Sequence, residues 1–431
     1  MAQTPPTPQI HSISWVSNAA FDLKESSFED LQSLTTEIVN TTLTNSNVQG
    51  LIGTWIQVWG PIVFSNDQSG ATVVADNTML LVYNEAANLF VVGVAGTNAV
   101  STYGWMQEDF NVSSTVTWKS ITGITPALLT DPTISAGTDD GLQILLTMEG
   151  PELTVTGNPT ATMLAALNNY ISAHSITGAQ IAVTGHSLGG ALSPVMAMYM
   201  QDTLSTWNTA GNVAGIGAYP TAGPTPGNQD FANYLTKHLG ANYNSYYNSI
   251  DVVPQAWQSS SMETIPQIYG TNIPYPEAAP GPYATTLGTM VSAAFLKTIN
   301  SLDYLPINYA QAAPWNQMVG TFDTTTDDAA VKKAGYMVAY LSGTTLTQYG
   351  PYLTFLYRFL VQAAFQHTTA YNTLLDIVDF AADYIAIKNE IVGSTEEERR
   401  EANVHDALSK YFGMPNLTPL FAKHEQEAAV A

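Results

Sequence analysis

The chain has 431 residues, 45% of them hydrophobic, enough for a large core and more than one domain usually needs. Only 11% are charged and the formal net charge is −23, so nucleic acid and anionic lipid headgroups are poor partners, and surface polarity must come mainly from Ser, Thr, Asn, Gln and Tyr. There is no cysteine, which excludes disulfides, thiolate catalysis and Cys-ligated zinc but leaves the compartment undecided.

Met1–Pro8 lacks the basic and apolar regions of a signal peptide, and residues 1–12 are expected to form a Pro-rich mobile arm. Phe28–Thr41 has helical spacing. Met79–Tyr83 and Leu89–Val94 read as strands joined by the polar turn Asn84–Asn88, the second ending in Gly96-Thr97. Thr160–Ala173 reads as an amphipathic helix leading into the apolar strand Gln180–Val183. Asn212–Ala218 and Asn244–Ile250 read as further strands. Strands alternating with helices predict a mostly parallel sheet covered on both faces. Ile265–Tyr283 holds five prolines and reads as loop, Ala284–Ile299 is helical in pattern, and Tyr349–Gln366 is strongly apolar. Glu390–Ala431, with the charge run Glu396–Glu401, reads as a solvated helical tail. No uninterrupted apolar stretch nears the length of a membrane span.

The most informative string is Thr184-Gly185-His186-Ser187-Leu188-Gly189-Gly190, set between a strand and the helix-forming run Ala191–Met200. A G-x-S-x-G in that setting is the pattern of a nucleophile elbow. The glycines allow a turn too sharp for neighbouring Cβ atoms, and the helix start behind it aims free N–H groups at developing negative charge.

A serine nucleophile needs a base and a group to orient that base, in the order Ser, acid, His for this kind of turn. His367, His405 and His424 follow the serine with room for an acid between. The last two lie in the charged tail and read as solvated. His367 follows the apolar Tyr349–Phe365 and is the candidate base, with a satisfied core histidine as the bland alternative. Asp251, just after a strand, is the candidate acid. Asp202 falls on the helix after the elbow, and Asp230 reads as a helix N-cap. The Leu188 N–H and the N–H and hydroxyl of Thr97 are candidate oxyanion donors.

These residues resemble the class 3 lipases, the family of the filamentous-fungal triacylglycerol lipases. The elbow at 184–190 matches closely, and Gly96-Thr97 is similar to the family's R-G-[ST] oxyanion segment. Trp105–Asp109 resembles its lid-region Trp-x-x-Asp, Gly223–Phe231 its G-x-P-x-x-G-[ND]-x-x-[FY], and Asn248–Pro254 its N-x-x-D-x-[VI]-P. The resemblance spans roughly Leu80–Pro254. It implies an α/β-hydrolase fold with the triad acid at Asp251. Three departures stand out: Ala95 replaces the Arg before Gly-Thr, so any role of that Arg in holding the loop is missing or moved; there are no disulfides; and His367 lies 116 positions after Asp251, which implies an insertion near 258–347, expected to form a cap.

The expectation is therefore an α/β-hydrolase domain over 1–388 with a cap-like insertion, then a charged helical extension over 389–431. The expected activity is serine carboxylester hydrolysis through Ser187, Asp251 and His367, with Thr97 and Leu188 as oxyanion donors and no metal or cofactor. A lipase is favoured. Phospholipase A1, feruloyl esterase and polyester hydrolase activities share the triad and stay open, as does a non-catalytic scaffold. Tyr103, Trp105 and Met106 are expected to give the 98–111 loop an apolar inner face, with Glu108 and Asp109 toward water. The partner expected is a lipid or other ester, and the resemblance favours secretion, with a cytoplasmic site left open.

Overall fold

The computed structural model describes residues 7–69, 72–98, 111–124, 131–153, 159–209, 211–274, 307–340, 350–396 and 398–399. Seven strands form the central sheet: β1 (Ile56–Phe64), β2 (Asn77–Asn84), β3 (Leu89–Val94), β4 (Ala179–His186), β5 (Val213–Thr221), β6 (Ser245–Asn248) and β7 (Trp315–Met318). They lie side by side in chain order. The hairpins β1–β2 and β2–β3 are antiparallel, and β3 to β7 run parallel. The fold is of α/β-hydrolase type, a mostly parallel sheet with helices around it.

Side-chain alternation divides the core between the two faces of the sheet. Leu81, Phe90, Val92, Ile181 and Val183 face one way, onto α3 (Met163–Ala173), α4 (Leu188–Asp202) and α5 (Gln229–Leu239). Leu80, Val82, Leu89, Val91 and Ala182 face the other, onto α1 (Thr7–Ser17), α2 (Phe28–Thr44) and α9 (Val378–Val392). The sequence shows why α2 starts where it does. Ser27 Oγ accepts the Asp30 N–H at 3.1 Å, acids at 29 and 30 suit the helix N-terminus, and Leu31, Ile38 and Val39 bury one stripe.

A third apolar cluster sits outside the sheet. Val252, Trp257, Met262 and Tyr269 pack against Phe355 and Phe359 of α7 (Gly350–His367). Arg358 on α7 holds Asp327 of α6 (Thr324–Tyr340) through two bonds of 2.8 and 2.6 Å. Within the 258–347 stretch, Trp315–Met318 pairs parallel with β6 as β7, so that part of the stretch belongs to the sheet. The helix expected at Ala284–Ile299 lies outside the described residues.

Several expectations change. Residues 7–12 are the first turns of α1, not a mobile arm; Ile10, His11 and Ser12 are fully buried, and Pro8 sits in the first turn, where its missing N–H is tolerated. The boundary expected at 389 falls inside α9, because Phe380, Tyr384 and Ile387 keep that helix packed on the core with no linker. The helix at Thr160–Ala173 begins only at Met163, after the short strand Thr160–Thr162. The cap of α5 is Asn228, whose Oδ1 accepts the Phe231 N–H at 2.8 Å, while Asp230 lies inside the first turn. Among the described residues no helix is long and apolar enough to cross a membrane.

Candidate active site

The link from β4 to α4 is one residue, Ser187, at φ 60° and ψ −123°. That conformation is costly for a residue with a Cβ and persists only where the surroundings fix it. Here the Ser187 N–H donates to Thr221 O at 3.1 Å, and the Ala191 N–H returns to Ser187 O at 3.1 Å. A Cβ on Gly185 would run into the Gly189 carbonyl, and one on Gly189 into the Val94 carbonyl, so both must be glycine for the turn to close.

His367 ends α7, and its Nε2 lies 2.8 Å from Ser187 Oγ. Its Nδ1 lies 2.8 Å from Asp251 Oδ2. Asp251 follows β6 by three residues and is fully buried. Its other bonds are to the Val253 N–H, 3.0 Å from Oδ1, and the Tyr371 hydroxyl, 2.9 Å from Oδ2. A buried carboxylate needs this many donors to hold its charge. Tyr371 is in turn a hydrogen-bond acceptor for the Asn248 N–H at 2.9 Å. Burial, with Asp251 beside it, raises the phenol well above its ordinary value, which keeps the proton on the oxygen that donates.

The helix carrying the base is tied down by its carbonyls. His186, directly before the serine, has Nε2 2.6 Å from His367 O. A carbonyl only accepts, so that nitrogen carries the proton. Burial, then the neighbouring His367, holds the His186 ring well below its usual value and therefore neutral. Its Nδ1 faces Thr221 Oγ1 at 3.1 Å, and the edges of Trp15 and Tyr371 enclose the ring. One residue earlier, the buried Asn248 Nδ2 donates to Gln366 O at 3.0 Å and Gln366 Oε1 at 2.7 Å.

The loop after β3 lies against the elbow. A Cβ on Gly96 would stand 2.8 Å from His186 O and 3.1 Å from Ser187 Cβ. Thr97 is buried beside it, and Leu188 opens α4, where a backbone N–H has no partner within the helix. The structure thus brings Ser187, His367 and Asp251 into one hydrogen-bonded chain, with Leu188 next in sequence to the serine and Thr97 following Gly96, which packs against it. Asp202 is elsewhere, accepting from Trp118 Nε1 at 2.7 Å and from the Tyr234 hydroxyl. Tyr103, Trp105, Met106, Glu108, Asp109, His405 and His424 lie outside the described residues. Sequence reasoning assigned no role to Tyr371, His186 or Gln366. No local pattern in the sequence marks them.

Residues 114–260, which hold the elbow and Asp251, match the model of the family described as Lipase (class 3). That stretch is similar to the class 3 lipases. Comparison with curated protein sequences found no match. Among solved structures, the chain is similar to M37 lipase, with a TM-score of 0.64 and 24% identity over 91% of this chain and 99% of that one. It overlaps less with the lipase from Rhizopus microsporus var. chinensis, at TM-score 0.37 and 14% identity over 58% of this chain and 68% of that one. For lipase II from Rhizopus niveus the TM-score is 0.37 and the identity 17%, over 59% and 77% of the two chains. The first likeness is one of fold. The other two are too slight to add to it. The class 3 match over that stretch supports a lipase-type carboxylic ester hydrolase.

Proposed function

We propose that the chain cleaves carboxylic esters of lipids, acylglycerols first among them, through Ser187, His367 and Asp251. The observation that carries this reading is the chain of two 2.8 Å hydrogen bonds, Ser187 Oγ to His367 Nε2 and His367 Nδ1 to Asp251 Oδ2. Ser187 Oγ attacks the ester carbonyl while His367 Nε2 takes its proton. Asp251 holds the imidazole with Nδ1–H toward the carboxylate and stabilises the imidazolium that forms. Thr97 and the Leu188 N–H donate to the tetrahedral oxyanion. The alcohol then leaves with the proton from Nε2. Water repeats the sequence on the acyl-enzyme and releases the acid.

Two further parts belong to the same reading. The 98–111 loop, with Tyr103, Trp105 and Met106, and part of the 258–347 insertion form an apolar cover that opens at a lipid surface. An acyl chain gains about 0.8 kcal/mol for each CH₂ it buries, so a pocket suited to it favours being closed against water when empty. Activity should then rise steeply as substrate passes from monomer to droplet, and Trp105→Ala should weaken the rise. Export is proposed from the family resemblance alone, and fractionation of the producing cells tests it.

The decisive experiment measures hydrolysis of p-nitrophenyl esters of graded acyl length and of an emulsified triglyceride by the wild type and Ser187→Ala. The variant should lose several orders of magnitude in kcat, and an organophosphonate should label Ser187 in the wild type. A Ser187→Ala variant that keeps a tenth of the wild-type turnover excludes this mechanism.

A further inference from the structure

The oxyanion loop lacks the arginine that precedes Gly-Thr in the class 3 pattern; Ala95 stands there instead. The structure supplies its support from both ends of the chain. The Gly96 N–H donates to Asn18 Oδ1 at 2.9 Å. Asn18 is fixed in turn, its Nδ2 donating to Ser14 O at 2.8 Å on α1. On the other side of Thr97, Asn98 Oδ1 accepts the Asp22 N–H at 3.1 Å, and Asn98 Nδ2 donates to Ala20 O at 3.4 Å. Residues 18–22 therefore grip the loop on either side of its candidate oxyanion donor.

That segment is itself anchored. Lys388 on α9 donates to Phe21 O at 2.7 Å and lies 3.0 Å from Asp22 Oδ1. Arg399 Nε lies 3.0 Å from Asp22 Oδ2, and its NH2 group donates to Asn389 Oδ1 at 3.1 Å. All three charged side chains are less than a tenth exposed, so the cluster fixes a geometry rather than decorating a surface. Asp22 sits at φ 64°, a conformation that needs such outside support.

We propose that Asn18 and Asp22, held by Lys388 and Arg399, are positioning residues for the oxyanion loop, so that α9 and the segment just after it set transition-state stabilisation at Ser187. The proposal rests on the reading of Ser187 as nucleophile and Thr97 as oxyanion donor. A loop displaced by a fraction of an ångström weakens a bond made in the transition state and leaves ground-state binding alone.

The experiment compares kcat and KM for a soluble short-chain p-nitrophenyl ester with Ki for an alkylboronic acid, which forms a tetrahedral adduct at the serine. Asn18→Ala should lower kcat about tenfold or more, keep KM within about twofold, and raise the boronic acid Ki by a similar factor as kcat falls. Arg399→Gln should move both in the same direction by about two- to fivefold, and it serves alone if Asn18→Ala does not fold. Ser17→Ala removes a buried bond to Ser14 O in the same helix end without touching the loop, and should leave kcat and Ki unchanged. If the folded variants lose thermal stability but keep wild-type kcat and Ki, the brace is structural and the proposal is overturned. If Ser187→Ala itself stays active, the nucleophile assignment fails first.

Discussion

Ser187 and His367 meet at 2.8 Å, yet the chain delivers them by different means. The serine end is local. One strand, one residue and one helix make it, with glycines that let backbone close on backbone. The histidine end is assembled at long range: β6 contributes Asn248 and Asp251, the elbow contributes His186, and α8 (Thr369–Leu374) contributes Tyr371. The elbow lies within the class 3 match at 114–260, as do Asn248 and Asp251, whereas His367 and Tyr371 lie beyond it. A sharp turn can be encoded in seven consecutive residues. A side chain 180 positions away can be held only by contacts that the completed fold creates.

The two ends should fail alike when the reacting atoms are removed. His367→Ala is expected to lose kcat about as completely as Ser187→Ala, by roughly 10⁴-fold or more, because the two act as one unit. Turnover of a soluble p-nitrophenyl ester measures this. His405→Ala and His424→Ala should stay near wild type. If His405→Ala were the inactive variant, the long-range half of the site would have to be redrawn.

The same contrast explains what was legible in the sequence. Met79–Tyr83, Leu89–Val94 and the elbow carry local patterns, and the structure has strands and a turn there. The strand Ile56–Phe64 escaped notice because Gly60-Pro61 interrupts its apolar run, which an edge strand tolerates. Helix α1 was hidden by the prolines before it, and only its burial against the sheet makes it stable. Ser187, Asp251 and His367 were nameable from residue type and chain order. Tyr371, His186 and Asn18 were not, because such a side chain has no signature until its partner is known. Arg399 sits in a charge run that reads as solvated, and nothing local indicates that Asp22 will neutralise it.

A smaller perturbation separates holding from reacting. Tyr371→Phe keeps the ring that encloses His186 but removes one donor to Asp251 and the acceptor of the Asn248 N–H. Losing the donor weakens the orientation of His367. Kinetics on the soluble ester should show kcat down about tenfold, KM within about twofold and thermal stability reduced, since a buried group left unpaired costs about 1–3 kcal/mol. A loss as deep as that of His367→Ala would mean that the phenol takes part in the chemistry. Unchanged kcat would mean that the Val253 N–H and His367 suffice to hold the carboxylate.

The gentlest test lies behind the site and should change stability with pH while sparing activity. His11 on α1 is fully buried, its ring edge-on to Tyr246 at 5.4 Å. Neither of its ring nitrogens has a hydrogen-bond partner among the described residues. Burial pushes its pKa down to about 3. The unfolded chain takes up a proton at this residue near pH 6.5, and the folded chain does not until about pH 3. The unfolded state therefore binds more protons in that window, and stability must fall as pH falls through it. Each such histidine contributes a slope of about 1.4 kcal/mol per pH unit. His186, also held neutral by burial, acts in the same sense. His11→Phe keeps an aromatic ring against Tyr246 and removes one titrating group. Urea midpoints at pH 7 and pH 5 should differ less for the variant than for the wild type, while kcat at pH 7 stays within about twofold. Parallel stability curves would show that His11 takes up its proton as readily in the folded state as in the unfolded one.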